Sequence, residues 1–155
     1  KSHFNFEIVG RKGADITQLW KEEGASAYRT LLIKHCPNLW TIGGTNSITG
    51  HASVVMGIEN GVDYFLKTAK PVFQGKAKSV QVKDEAYDNW LTTLQKEINK
   101  SVFGTPFGGC VSWYSGAKVN SISYPWSQLH YWWKTQFPTY RDLNYEPLDE
   151  NKKRR

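Results

Sequence analysis

The apolar run Leu39-Trp40-Thr41-Ile42 leads straight into Gly43-Gly44-Thr45-Asn46-Ser47, and Gly50-His51-Ala52-Ser53 then opens a stretch with helical periodicity. A strand, a glycine turn and a helix in immediate succession are compatible with an α/β (mixed) arrangement. From Ser53, a suitable N-cap, apolar residues recur at Val55, Ile58, Val62, Phe65, Leu66 and Ala69. That spacing predicts a helix that buries this stripe and stops before Pro71. Glu59, polar on a largely apolar element, is expected to bond neighbouring backbone, since an unpaired buried charge is costly. Turn glycines let a ligand approach the backbone, and a helix start offers unpaired N–H groups with partial positive charge. The same residues also make a plain strand–turn–helix connection, so both readings stay open here.

The rest of the chain yields weaker signals. Phe4, Phe6 and Ile8 alternate as in a half-buried strand, and Gly10-Arg11-Lys12-Gly13 turns the chain. Asp15 is placed to cap a short helix from residue 15 to 20. Leu31-Leu32-Ile33 and Leu39 to Ile42 read as buried strands separated by Cys36-Pro37. A second helix, with Asp84 as cap and Glu85 in its first turn, carries Tyr87, Trp90, Leu91, Leu94, Ile98 and Val102 on one stripe. Ser79 to Val82 suits a short strand. Beyond Gly104 the Trp- and Tyr-rich stretch to Tyr145 has weak periodicity, reads as strand and extended structure, and is expected to pack over the helices. Residues 149–155 read as a frayed tail.

Composition excludes several functional classes. With 155 residues, 39% of them hydrophobic and 22 aromatic rings, the chain can bury a real core. No apolar run reaches the roughly 20 residues of a membrane span, and no secretory signal opens the sequence. A start at Lys1 rather than Met is expected of a processed or trimmed piece. Four of the six net positive charges sit in Lys152-Lys153-Arg154-Arg155, which reads as a solvated tail and not as a nucleic-acid surface. Cys36 and Cys110 are too few for a disulfide framework, so a reduced, cytoplasmic setting is expected, with Cys110 a buried structural thiol. The four histidines, His3, His35, His51 and His130, show no metal-ligand spacing, and no metal is expected.

Phe107-Gly108-Gly109-Cys110-Val111-Ser112-Trp113-Tyr114 and Asn120-Ser121-Ile122-Ser123-Tyr124-Pro125-Trp126 complete a distinctive order. Together with Cys36-Pro37-Asn38-Leu39-Trp40, Gly43-Gly44-Thr45-Asn46 and Gly50-His51-Ala52-Ser53 with Ile58-Glu59, they resemble the C-terminal part of a Baeyer–Villiger-type flavin monooxygenase. The resemblance covers nearly the whole chain. It implies a fold made of the C-terminal segment of a Rossmann-like FAD-binding domain (1–70), then a helix and an aromatic-rich helical or extended segment packed on it (71–148), then the basic tail. Two departures stand out. The family's Gly-Pro-Asn is Gly44-Thr45-Asn46 here, and Trp126 follows a Pro where the family commonly has Gly.

By that resemblance the cofactors are FAD and NADPH. Gly43, Gly44 and the backbone of Val54 and Val55 would face the flavin, where oriented amides stabilise negative charge on the reduced ring. Ser47, Ile48 and Thr49 would line the substrate side, with Asn46, Trp113 and Tyr114 nearby. Trp113 suits stacking on a ring, and suits a core position equally. His51 is the one candidate general acid or base with a pKa near neutrality, unless it is simply a turn residue. The sequence contains no Gly-rich dinucleotide loop, so this chain alone is expected to hold neither cofactor. Three activities follow: part of a monooxygenase acting on a small apolar ketone, terpenoid or polyketide; a cofactor-free cyclase or isomerase reusing an aromatic cavity; or a non-catalytic docking module. A partner chain or second copy is expected on the face left by the missing half.

Overall fold

The computed structural model describes residues 7–47, 52–102 and 119–148. The expected strand over Phe4 and Phe6, the segment holding Cys110, and the tail lie outside them. Asp15 starts the first helix as its position implies: its carboxylate accepts from the Gln18 N–H at 2.9 Å and opens α1, Ile16–Glu23. Gly24, at φ 97°, ends it, and a Cβ there would collide with Val119. Ile16 and Trp20 pack on Ala25, Ile33 and Cys36.

Leu31 to Ile33 are buried as expected, but Leu39 to Thr41 are only half-buried, Ile42 is exposed, and the two runs do not form strands. Arg29, Thr30, His35 and Asn38 all take positive φ, so the backbone reverses every few residues. No run is long enough for a ladder, and pairing shrinks to isolated bridges, Tyr28 with Leu32 and Leu32 with Trp40. Leu31, Leu32 and Ile33 nevertheless lie at the centre of the molecule.

Helix α2 spans Val54–Phe73, with the Ser53 hydroxyl accepting from the Met56 N–H at 3.3 Å. It runs through Pro71 instead of stopping before it. A proline so near the end deletes one backbone bond, and its own carbonyl accepts from Lys76 and Ala77 to close the terminus. The larger correction concerns its face. Asn60, Gly61, Tyr64, Thr68 and Ala69 point inward, whereas Val55, Ile58, Val62 and Leu66 are exposed, Ile58 by 41%. Small and polar residues let neighbours approach the helix closely. A Cβ on Gly61 would stand 3.2 Å from Leu31. The Thr68 hydroxyl accepts from the Trp40 indole at 3.2 Å and donates to the Tyr64 carbonyl at 2.8 Å. Glu59 is exposed as well, in place of the backbone bonding expected of it.

Strand β1, Ser79–Val82, is the one the sequence predicts, and it pairs antiparallel with β2, Leu143–Glu146, with Val80 opposite Tyr145 and Val82 opposite Leu143. Helix α3, Asp84–Asn99, buries Tyr87, Leu94 and Ile98 as its stripe predicts. Asp84 is its first residue and not its cap; with Glu85 it places negative charge in the first turn. Val102 lies beyond the helix and is exposed.

Within the aromatic stretch, expected as strand and extended chain, Ser127 caps a helix α4, Gln128–Gln136, by accepting from the His130 N–H at 3.2 Å. Helix α4 packs on α2, and the Lys67 ammonium donates to the Gln136 side chain at 2.6 Å. The central core joins Tyr28, Leu31, Leu32, Tyr64, Val80, Val82, Tyr87 and Leu143. Trp20 and Tyr131 are buried, whereas Trp133 is exposed. No helix among the described residues is long and apolar enough to cross a membrane.

Candidate functional site

The loop from Gly43 to Ser47 is built by its own sequence. Gly43 takes φ 66°, and a Cβ there would lie 3.9 Å from Ile58, so the loop rides on the outward face of α2. A Cβ on Gly44 would press to 2.8 Å against the Thr41 side chain, which makes glycine the fitting residue. The Ser47 hydroxyl donates back to the Gly44 carbonyl at 2.6 Å and tightens the turn.

Asn46 is the anchor. It is 1% exposed and left-handed at φ 54°, a conformation Asn tolerates better than most residues. Its backbone N–H donates to the Ser121 carbonyl at 2.8 Å, and its amide nitrogen to the carbonyls of Asn120 at 2.7 Å and Ser123 at 3.1 Å. Asn120 in turn accepts through its side chain from the N–H groups of Ile122 and Ser123, forming an Asx turn. Gln95 of α3 donates to the Asn120 carbonyl at 3.1 Å. The loop is thereby tied through residues 120–123 to α3. Asn120 was legible only as part of a motif; the Asn-Ser-Ile-Ser turn chemistry was the signal for its anchoring role.

Two buried oxygens in this loop, Asn46 Oδ1 and Thr45 Oγ1, have no hydrogen-bond partner among the described residues. Unpaired buried acceptors are uncommon and destabilising. At the start of α2, the exposed Val54 and Val55 stand at the two first helical positions, whose N–H groups no helical carbonyl reaches. Gly43, Gly44, Asn46 and Ser47 thus sit in one loop over α2, whose first turn holds Val54 and Val55. Ile48, Thr49, His51, Trp113 and Tyr114 lie outside the described residues. Burial pushes the Cys36 thiol up, so it stays protonated and inert. Among the described residues no cluster of His, Cys, Asp or Glu could hold a metal.

A Baeyer–Villiger monooxygenase of Pseudomonas aeruginosa is 33% identical over 107 residues, which is 69% of this chain and 20% of that protein. An FAD-binding monooxygenase of Emericella nidulans is 26% identical over 149 residues, 94% of this chain and 24% of that one. A steroid monooxygenase bound to NADP superposes with a TM-score of 0.78 at 22% identity, over 92% of this chain and 27% of its own. A closed cyclohexanone monooxygenase gives 0.75 at 22% identity over the same shares. The chain is a partial relative of the Baeyer–Villiger-type flavin monooxygenases. No family model matches it. It spans about a fifth to a quarter of the length of the monooxygenases it matches. Against the chemistry of the family's flavin, the described residues fit one part of the cofactor. The N–H groups of the first turn of α2, which no helical carbonyl reaches, suit the electron-rich edge of the ring, and the loop glycines Gly43 and Gly44 carry no side chain that would fill the space a ring needs. For the pyrophosphate, the sequence supplies no Gly-rich cradle.

Proposed function

We propose that this chain forms one wall of a Baeyer–Villiger-type monooxygenase site acting on a small apolar ketone, terpenoid or polyketide, and that α2 docks through its outward face on a dinucleotide-binding part. The observation that carries this reading is the exposed apolar stripe of α2, Val55, Ile58, Val62 and Leu66, continuous with Gly43 and the helix start. Exposed apolar surface of that extent is characteristic of an interface. When bound, FAD reduced by NADPH would activate O2, which supplies the oxidising equivalents and the inserted oxygen. The protein's share is positional and electrostatic. The N–H groups of Val54 and Val55 stabilise negative charge at the ring edge, helped by the helix dipole. Asn46 holds Gly43 and Gly44 where a ring can approach their backbone. On this reading Ser47, Ile48 and Thr49, with Trp113 and Tyr114, would serve the substrate side, and His51 would exchange a proton with the substrate.

Two preparations test the reading. The purified chain, incubated with FAD and desalted, is expected to stay colourless. A chimera in which this chain replaces the matching part of the Pseudomonas aeruginosa enzyme is expected to hold yellow flavin and oxidise NADPH. Stoichiometric flavin on the chain alone would remove the need for a second part. A folded chimera that keeps its nucleotide loops yet binds no flavin would show that the α2 start does not serve the ring.

A further inference from the structure

A cavity of about 420 Å³ lies between α3, α4 and residues 141–142, and none of the residues expected to meet flavin or substrate lines it. One part of its lining is aromatic. The rings of Trp90 and Trp126 stand 5.6 Å apart, and that of His130 is 4.8 Å from Trp126. Trp126 is the bulky residue that follows Pro125, so the departure from the family pattern supplies this wall.

The remaining charge is strongly one-sided. Among the described residues, Arg29, Lys134 and Arg141 line the cavity against a single carboxylate, Asp142. Asp142 is already engaged, accepting from the Tyr28 hydroxyl at 2.6 Å and lying 3.8 Å from the Arg141 guanidinium. Arg29 decides the character of the site. It is 7% exposed, and it donates to the carbonyls of Lys134 at 2.7 Å and Phe137 at 3.4 Å and to the Thr139 hydroxyl at 2.5 Å. Those acceptors are neutral. They close the C-terminal end of α4, whose dipole favours a cation there, and so account for where Arg29 sits. They do not cancel its charge, and no described carboxylate forms an ion pair with it. A cation buried without a counter-charge is unfavourable. His130 feels the same field: burial, then Lys134 and Arg29, push its pKa down, so at neutral pH it adds an uncharged ring. Its Nδ1 lies 2.9 Å from the Tyr124 hydroxyl, which fixes the ring's orientation.

We propose that this cavity binds a small planar organic anion, an aromatic ring bearing a carboxylate, with the ring against Trp126 and the carboxylate between Lys134 and Arg141. The volume suits such a ligand, which lies at the small end of the usual range for pockets. The indoles supply apolar area and stacking, and the ligand's negative charge offsets that of Arg29. A neutral ring would leave the cationic lining uncompensated, and a bare phosphate would leave the indoles wet.

Calorimetric titration of the purified chain with 2-naphthoate, 2-naphthamide and inorganic phosphate at one ionic strength tests this. The variants are Lys134→Ala, Arg141→Gln and Trp126→Ala, which spare Arg29 because it also closes α4. One naphthoate is expected to bind per chain, with the amide about tenfold weaker or worse, as for one lost charge-assisted hydrogen bond. Lys134→Ala and Trp126→Ala should each weaken naphthoate about tenfold, and Arg141→Gln less, because that side chain is largely in solvent. Equal affinity for acid and amide would overturn the proposal. So would unchanged affinity in both Lys134→Ala and Trp126→Ala, or phosphate binding as tightly as naphthoate. Absence of binding to parent chain whose circular dichroism shows it folded, at millimolar naphthoate, would overturn it as well.

Discussion

Helices α2 and α3 lie against the same core but offer it opposite kinds of surface. Helix α3 meets it with Tyr87, Trp90 and Leu91 and buries Leu94 and Ile98 farther along, large apolar or aromatic groups that gain by leaving water. Helix α2 meets it with Asn60, Gly61, Tyr64, Thr68 and Ala69, and turns Val55, Ile58, Val62 and Leu66 outward. The inward side of α2 is held by close approach and by hydrogen bonds such as Tyr145 hydroxyl to the Thr68 carbonyl at 2.8 Å. Its outward side is as apolar as a core face. An amphipathic stripe therefore does not by itself say which side of a helix meets the core, and in α2 the apolar side is the exposed one.

The strongest way to break this comparison is to charge the tyrosines that seal the core. Burial raises the pKa values of Tyr28 and Tyr64, and that of Tyr124 beside α4, well above the usual range, and pushes that of Tyr145 up to about 12. A phenol whose folded pKa is raised contributes its full stability below the unfolded value, near 10. That contribution is lost as pH rises through the folded value. Cooperative unfolding is expected as pH climbs from about 10 to about 12, with tyrosinate absorbance and loss of helical circular dichroism rising together. Tyrosinate forming fully near its unperturbed pH while the helices persist would mean that the polar side of α2 is open to water.

Next in size is Leu94→Ala on α3, a fully buried side chain. It should cost about 2–5 kcal/mol in denaturant unfolding, the range for emptying a packed aliphatic site. Gly61→Leu on α2 attacks the other kind of surface, because the new side chain would be forced towards Leu31 and Ile42. Overpacking there should cost about 1–3 kcal/mol. If Gly61→Leu proves neutral, α2 does not approach Leu31 closely in solution.

Much of the scaffold was legible because local chemistry decides it. Asp15 and Ser53 cap the helices they were expected to cap, and the stripe of α3 is buried where its spacing places it. The loop at 43–47 and the helix start were visible as glycines followed by a cap. Other features depend on contacts distant in sequence. Nothing local marks Arg29 or Thr30 for positive φ, so Leu31 to Ile33 reads as a strand although tight turns prevent one. Ser127 alone announces α4, whose Tyr, Trp and Thr residues are poor helix formers and conceal its period. The orientation of α2 was unreadable for a different reason. Its sequence shows two usable faces, and only the position of Leu31 selects the one with Gly61.

The smallest expected effect probes that choice most sharply. Ile58 is 41% exposed, so Ile58→Ala in the chain alone should change unfolding stability by no more than about 0.5 kcal/mol, as for ordinary surface substitutions. In the chimera with the Pseudomonas aeruginosa enzyme the outward face of α2 would be covered, and the same substitution should cost about 2–5 kcal/mol. The difference between the two backgrounds measures the cover and not the helix, because the propensity change from Ile to Ala is common to both. A cost of 2 kcal/mol or more in the chain alone would mean that the stripe is already buried. Repeating the melt over a hundredfold range of concentration then identifies how. A midpoint that rises with concentration would make the cover a second copy of this chain, and a fixed midpoint would mean that the inward face of α2 has been assigned wrongly.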